Sequence, residues 1–235
     1  MTALDIGFGT GFPLLEIAMR LGAETKVYGI DPWKAGQERT RKKIDLYKIV
    51  NVELIDGVAE SIPLPDQSLD LIVSNNGINN VNDLSRVLSE CSRIARPGAQ
   101  FLASMNLDTT MTEFYQVMES VLYENNMAAE IKKMKEHIYA KRKPLNEVTS
   151  MLESNQFKIV RVYEDQFDYR FINGTAMLEY HFIRLAFLDS WKNIIPPEGQ
   201  NRIFELIEDS LNNLAEKKGE VKLSVPFAVI DCKKL

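Results

Sequence analysis

Glycines stand at positions 7, 9 and 11, directly after the short apolar run Ala3–Ile6, within Leu4-Asp5-Ile6-Gly7-Phe8-Gly9-Thr10-Gly11. Glycine adopts backbone conformations closed to other residues and lets the chain pass close to a ligand. Pro13–Leu21 follows with a helical pattern, grouping Leu14, Leu15, Ile17, Ala18 and Leu21 on one side with Pro13 in the first turn. A buried strand that turns through glycines into a helix is therefore predicted, and the free amides at such a helix start face a negative ligand group.

The alternation continues along the first hundred residues. Lys26–Ile30 reads as strand two, Val52–Asp56 as strand three, Leu69–Ser74 as strand four and Ala99–Asn106 as strand five. Pro32 opens a helix that runs to about Lys48, whose charges (Lys34, Glu38, Arg39, Arg41, Lys42, Lys43) read as a solvated face. Asp83–Ala95 forms the helix before strand five, stopped by Arg96-Pro97-Gly98. Strands separated by helix-length connections predict an α/β, doubly wound, Rossmann-like parallel sheet. Its ligands bind beyond the carboxyl ends of the strands, where strand order reverses.

The later chain is less regular. Helices are expected over Thr109–Tyr123, Met127–Ala140, Leu145–Ser154, Gly174–Trp191 and Gly199–Lys217. Phe157–Asp165 is a strand that Gln166–Ile172 either extends or follows as a new one, and Lys222–Cys232 is a final strand. The expected division is a core over 1–108, helical and strand elements including a substrate cap over 109–221, and a returning strand over 222–235.

Composition limits the alternatives. A net charge of −5 argues against nucleic acid as the main partner. Two cysteines, Cys91 and Cys232, support neither a disulfide scaffold nor a thiolate metal site. No apolar run is long enough to span a bilayer, and no signal peptide is evident, so a soluble cytoplasmic protein is expected. His137 falls in a lysine-rich helix and is expected to face solvent; His181 is the better candidate base. Neither has metal-ligand spacing, so no metal is expected. Oligomeric state is left open.

Three strand ends carry candidate chemistry. The fingerprint GxGxxG of nicotinamide enzymes is not met, because position 12 is Phe. Asp5, just before the glycine turn, suits a ligand carrying an ammonium group. Asp31 ends strand two in Tyr28-Gly29-Ile30-Asp31, where a carboxylate accepts from both ribose hydroxyls; as the alternative, it caps the following helix. Asp56 ends strand three, placed either to accept from an adenine amino group beside Val58 and Ala59 or as a plain turn residue.

In order and spacing, LDIGFGTG, YGID, IDGVAESIPLPDQSLDLIVSNN and IARPGAQFLAS resemble class I S-adenosylmethionine (SAM)-dependent methyltransferases over roughly Ala3–Asn106. The motifs are most similar to the broad group that includes the ubiquinone and menaquinone biosynthesis enzymes. The resemblance implies SAM as cofactor and S-adenosylhomocysteine as product. It implies Asp5, Gly7, Gly9 and Gly11 around the methionine part, Asp31 on the ribose, and Asp56, Gly57 and Val58 near adenine. Ser74 and Asn75 match the segment lining the methionyl and sulfonium region. The family fold places the last strand antiparallel in an otherwise parallel seven-stranded sheet.

Two features depart from the family. A helix or lid normally precedes strand one, which here begins at the third residue, so SAM binding is expected to be weaker or more open unless later helices cover it. Ser74-Asn75-Asn76-Gly77 is not the Asn/Asp-Pro-Pro-Tyr motif of enzymes that methylate nucleic-acid or glutamine amino groups. The cofactor carries the hard chemistry of methyl transfer, so no catalytic triad is required. Substrate contacts are expected from Asn76 and Asn79 in the loop after strand four, and from Tyr169 and Tyr180 in an aromatic-rich segment that also holds His181. Phe171, Phe182 and Phe187 are expected in the core of the cap. The leading expectation is methylation of O, N or C on a small apolar or aromatic molecule. The alternatives are an inactive SAM-fold binding or regulatory subunit, another SAM-type enzyme such as an aminopropyl transferase or cyclase, and last a dehydrogenase.

Overall fold

The computed structural model describes residues 1–235. Seven strands, β1 (Thr2–Ile6), β2 (Lys26–Asp31), β3 (Val52–Asp56), β4 (Leu69–Asn75), β5 (Ala95–Asn106), β6 (Phe157–Phe171) and β7 (Val221–Lys234), form one sheet in the order β3-β2-β1-β4-β5-β7-β6. The pairs β1/β2, β2/β3, β1/β4 and β4/β5 are parallel. β7 runs antiparallel to β5, with Phe101 opposite Cys232 and Asn106 opposite Phe227, as the family resemblance implies.

The chain divides into two compact units: 1–106 with 144–164 and 227–235, and 107–143 with 165–226. In the first, α1 (Leu14–Leu21) and α2 (Lys34–Tyr47) flank the sheet, and Leu14, Leu15 and Ala18 pack with Ala3, Phe8 and Val27. Burying a Leu or Val side chain is worth about 1.5–3 kcal/mol, so this apolar stripe holds α1 on the strands. α3 (Leu84–Ile94) is capped by Asp83, which accepts from the Arg86 amide, and it packs against α6 (Leu145–Ser154). That packing groups 144–164 with the sheet, whereas the sequence pattern joins it to the elements around it.

In the second unit, α4 (Thr112–Glu124), α5 (Ala128–Lys141), α7 (Gly174–Glu179), α8 (His181–Ile183), α9 (Asp189–Lys192) and α10 (Gln200–Lys218) surround a separate core. Trp191 stacks on Phe114 at 3.8 Å and donates to the Tyr115 hydroxyl at 3.0 Å. The helix expected over Gly174–Trp191 is broken: Tyr180 is extended, and Arg184–Leu188 forms a π turn. Phe157–Phe171 is one continuous strand. Phe171 and Phe187 pack partly buried against this core, while Phe182 remains 36% exposed. His137 is half-buried rather than solvent-facing, and burial followed by the Lys141 and Arg142 charges lowers its pKa. No helix is long and apolar enough to cross a membrane.

Candidate functional site

Strand order reverses between β1 and β4, and there a cavity of about 460 Å³ opens. Its walls come from four segments of the first unit. The glycine turn gives Ile6, Gly7 and Gly9; the end of β2 gives Ile30, Asp31, Pro32 and Trp33; the turn after β3 gives Val58, Ala59 and Glu60. The loop after β4 gives Asn75, Asn76, Gly77, Asn80, Val81 and Asn82.

The glycine turn is held open by positive backbone angles, φ +76° at Gly7, +52° at Gly9 and +102° at Gly11. Asp31 organises it from β2: one carboxylate oxygen accepts from the Gly9 amide and the other from the Trp33 amide, both at 2.8 Å. An ionised carboxylate has about four acceptor sites, so each oxygen retains one for a ligand. α2 clamps the far side. Thr40 donates to the Gly9 carbonyl at 3.2 Å and the Lys43 ammonium to the Thr10 carbonyl at 2.6 Å. Lys43, expected on a solvated face, is thus a structural contact.

Asp5 is fully buried behind the turn, and neither carboxylate oxygen has a hydrogen-bond partner. Burial raises its pKa to about 7; the Leu14 amide offsets this in part from outside hydrogen-bonding geometry, and the Asp31 charge adds to the rise. A cationic group placed nearby would remove the penalty for ionising it.

The loop after β4 is fixed by contact between glycines. A Cβ on Gly7 would lie 2.7 Å from the Gly77 Cα, and one on Gly77 would lie 2.1 Å from the Ile6 carbonyl oxygen. Ser74 is spent on the same junction: its buried hydroxyl donates to the Ile6 carbonyl and accepts from the Ile78 amide, each at 3.1 Å. Asn75 accepts from the Ser104 hydroxyl at 2.5 Å. Asn76 adopts φ +57°, and its carbonyl accepts from the Asn80 side chain at 3.1 Å. Glu60 ties down the loop's far end, accepting from the Asn82 amide at 2.7 Å and the Asp83 amide at 3.2 Å.

Several sequence-derived residues take other positions. Asp56 is not in the cavity wall. Its carboxylate accepts from Lys34 and from Gln37, and these bonds hold it below the usual carboxylate range. Gln37 also donates to the Asp31 carbonyl at 2.7 Å, so the strand-end acids are linked through one amide. Asp5, Gly11, Gly57, Ser74 and Asn79 likewise stand outside the walls. Tyr169, Tyr180 and His181 belong to the second unit. There Tyr169 lies 6.3 Å from Tyr180, whose ring is 4.7 Å from that of His181, an exposed residue. Trp33, Glu60 and Asn82 were not anticipated. A tryptophan two residues beyond a strand-end acid was the available signal for the first; the other two are brought in by loop packing.

A family model described as a methyltransferase domain matches residues 4–103. Residues 4–103 are thus similar to a methyltransferase domain. The chain is 32% identical over 115 residues to a demethylmenaquinone methyltransferase of Geobacillus sp. (strain WCH70), covering 49% of each protein. It therefore spans about half the length of the curated relatives it matches. Among solved structures, a putative methyltransferase from Bacillus halodurans C-125 superposes with a TM-score of 0.64 at 16% identity, covering 99% of this chain and 92% of that one. A geranyl diphosphate C-methyltransferase from Streptomyces coelicolor A3(2), in complex with Mg2+, geranyl diphosphate and S-adenosyl-L-homocysteine, gives 0.58 at 13% identity, covering 100% and 73%. These two show the shared fold.

Proposed function

We propose that this chain transfers the methyl group of SAM to a small-molecule acceptor. The observation that carries the reading is the pairing of a buried carboxylate lacking any partner, Asp5, with a strand-end carboxylate in the cavity wall, Asp31, on either side of one glycine turn. SAM supplies, when bound, an electrophilic methyl on a sulfonium together with an ammonium, a carboxylate and a ribose diol. Asp5 supplies the negative charge for the ammonium end. The open backbone at Gly7 and Gly9 admits the methionine part, with Gly11 completing the turn. Asp31 accepts from the ribose hydroxyls with the sites its two amide bonds leave open. Val58 and Ala59 form an apolar wall for the adenine, and Asp56 acts there indirectly by holding Lys34 and Gln37.

The chain's remaining task is to place the acceptor atom behind the methyl group and exclude water; good geometry alone lowers a barrier by about 7–11 kcal/mol. Asn75, Asn76, Asn80 and Asn82 give the cavity an amide-rich wall that orients oxygen or nitrogen atoms of an otherwise apolar or aromatic acceptor. The names of the similar proteins, for demethylmenaquinone and geranyl diphosphate, support a small molecule. No proton transfer is assigned to His181.

Calorimetry with SAM and S-adenosylhomocysteine tests the reading. Micromolar binding is expected for the wild type. In Asp31→Ala it should weaken by more than about tenfold, since a hydrogen bond to a charged group is worth about 1.5–3 kcal/mol. A wild-type protein that binds neither compound would overturn the proposal.

A further inference from the structure

The second unit contains a cation that the methyl-transfer reading does not use. Arg142 follows α5 and is only 8% exposed, yet its Nη1 is buried without a hydrogen-bond partner. Burying a guanidinium N–H without an acceptor is costly, and native folds normally supply a carboxylate or carbonyl. An aromatic ring faces the group instead of an acceptor for Nη1: the guanidinium carbon lies 5.9 Å from the centre of Phe187.

Phe187 begins a row of rings. It lies 5.7 Å from Phe182, which lies 6.1 Å from Tyr169, which lies 5.5 Å from Phe167. Phe182 is 36% exposed and Phe167 46%. The row therefore leads from the surface to the buried guanidinium. Phe187 itself sits in the π turn Arg184–Leu188, a stretch with no buried residue of its own. π turns inside helices cluster at functional sites.

We propose that the second unit binds an aromatic carboxylate, its anionic head paired with Arg142 and its ring among Phe187, Phe182 and Tyr169. A carboxylate matches the guanidinium fork in a bidentate, charge-assisted pair, which the aromatic face alone does not provide. The inference is independent of the SAM site, because every residue it names belongs to the second unit.

The test uses the full chain with naphthalene-2-carboxylate as probe and the neutral 2-naphthalenemethanol as its control, followed by calorimetry and by Trp191 fluorescence, since Trp191 lies 5.4 Å from Phe187. The expected result is saturable one-to-one binding of the carboxylate, at least tenfold tighter than the alcohol. Arg142→Gln should lose that tenfold preference while binding the alcohol as before, and Phe182→Ala should weaken both. Equal binding of acid and alcohol, an unchanged preference in a folded Arg142→Gln, or no saturable binding of the carboxylate each overturns the proposal. If Arg142→Gln does not fold, the acid-against-alcohol comparison on the wild type decides it alone.

Discussion

Asp5 and Asp31 sit at the carboxyl ends of adjacent strands, yet their surroundings treat them oppositely. Asp31 accepts two backbone amides, whereas Asp5 has no partner and its pKa is pushed up to about 7. A folded-state value above the ordinary 3.8 means the folded protein binds more protons than the unfolded chain between those pH values. Stability is then lost as pH rises from about 4 to 7, reaching a cost of about 4 kcal/mol above that window. Asp5→Asn should remove this slope: urea denaturation of the ligand-free protein should show the variant gaining about 2–3 kcal/mol on the wild type between pH 5 and pH 8. An unchanged difference would mean Asp5 is already ionised at low pH. Gly77 gives a second test. Its added Cβ would meet the backbone oxygen of Ile6, which cannot rotate away. Gly77→Ala should cost about 3 kcal/mol, by analogy with overpacking, and abolish S-adenosylhomocysteine binding. Gly98→Ala, at φ +82° with nothing near its added Cβ, should leave binding intact.

At the scale of elements, the cavity is shaped by short connections rather than by the strands themselves. The turn after β3 is organised by Arg93 of α3, which donates to the Ile62 and Leu64 carbonyls at 2.8 Å and pairs with Glu90 and Asp66. Arg93 is also the main reason the Glu90 carboxyl is held below its usual range. Glu60, within the same turn, holds the Asn82 and Asp83 amides. Glu60→Ala should therefore speed hydrogen exchange at those two amides by about tenfold, the equivalent of roughly 1.4 kcal/mol, while exchange in β1 and β2 stays as in the wild type. Uniform acceleration across the sheet would instead mark a global destabilisation. The strand ends were legible in sequence because apolar runs stop at charged or glycine residues. These ties were not, since they join residues 22 to 31 positions apart.

At the scale of the molecule, the chain passes between its two units four times, after 106, 143, 164 and 226. The first unit is therefore not a contiguous N-terminal domain. β7 supplies the antiparallel neighbour of β5, and α6 supplies the partner of α3. A fragment ending at Asn106 would leave β5 as an unpaired edge and uncover α3, a recognised route to aggregation. Such a fragment should show no cooperative thermal transition and should associate in sedimentation measurements; a folded monomer would show that the first five strands are sufficient.

The sequence by itself determined the order of the first five strands and their helices, the glycine turn, and the placing of Asp31 at a strand end, because strand period, helix period and glycine geometry are properties of neighbouring residues. It also carried the family resemblance, from which the antiparallel last strand follows. Only the tertiary structure decided which acid faces the cavity and which is occupied. Asp56 is taken up by Lys34 and Gln37, and Asp5 is left without a partner. It likewise decided that Trp33, Glu60 and Asn82 join the cavity walls and that residues 144–164 group with the sheet. Those outcomes depend on which side chains meet across long stretches of chain, and burial and pairing of that kind leave no local pattern to read.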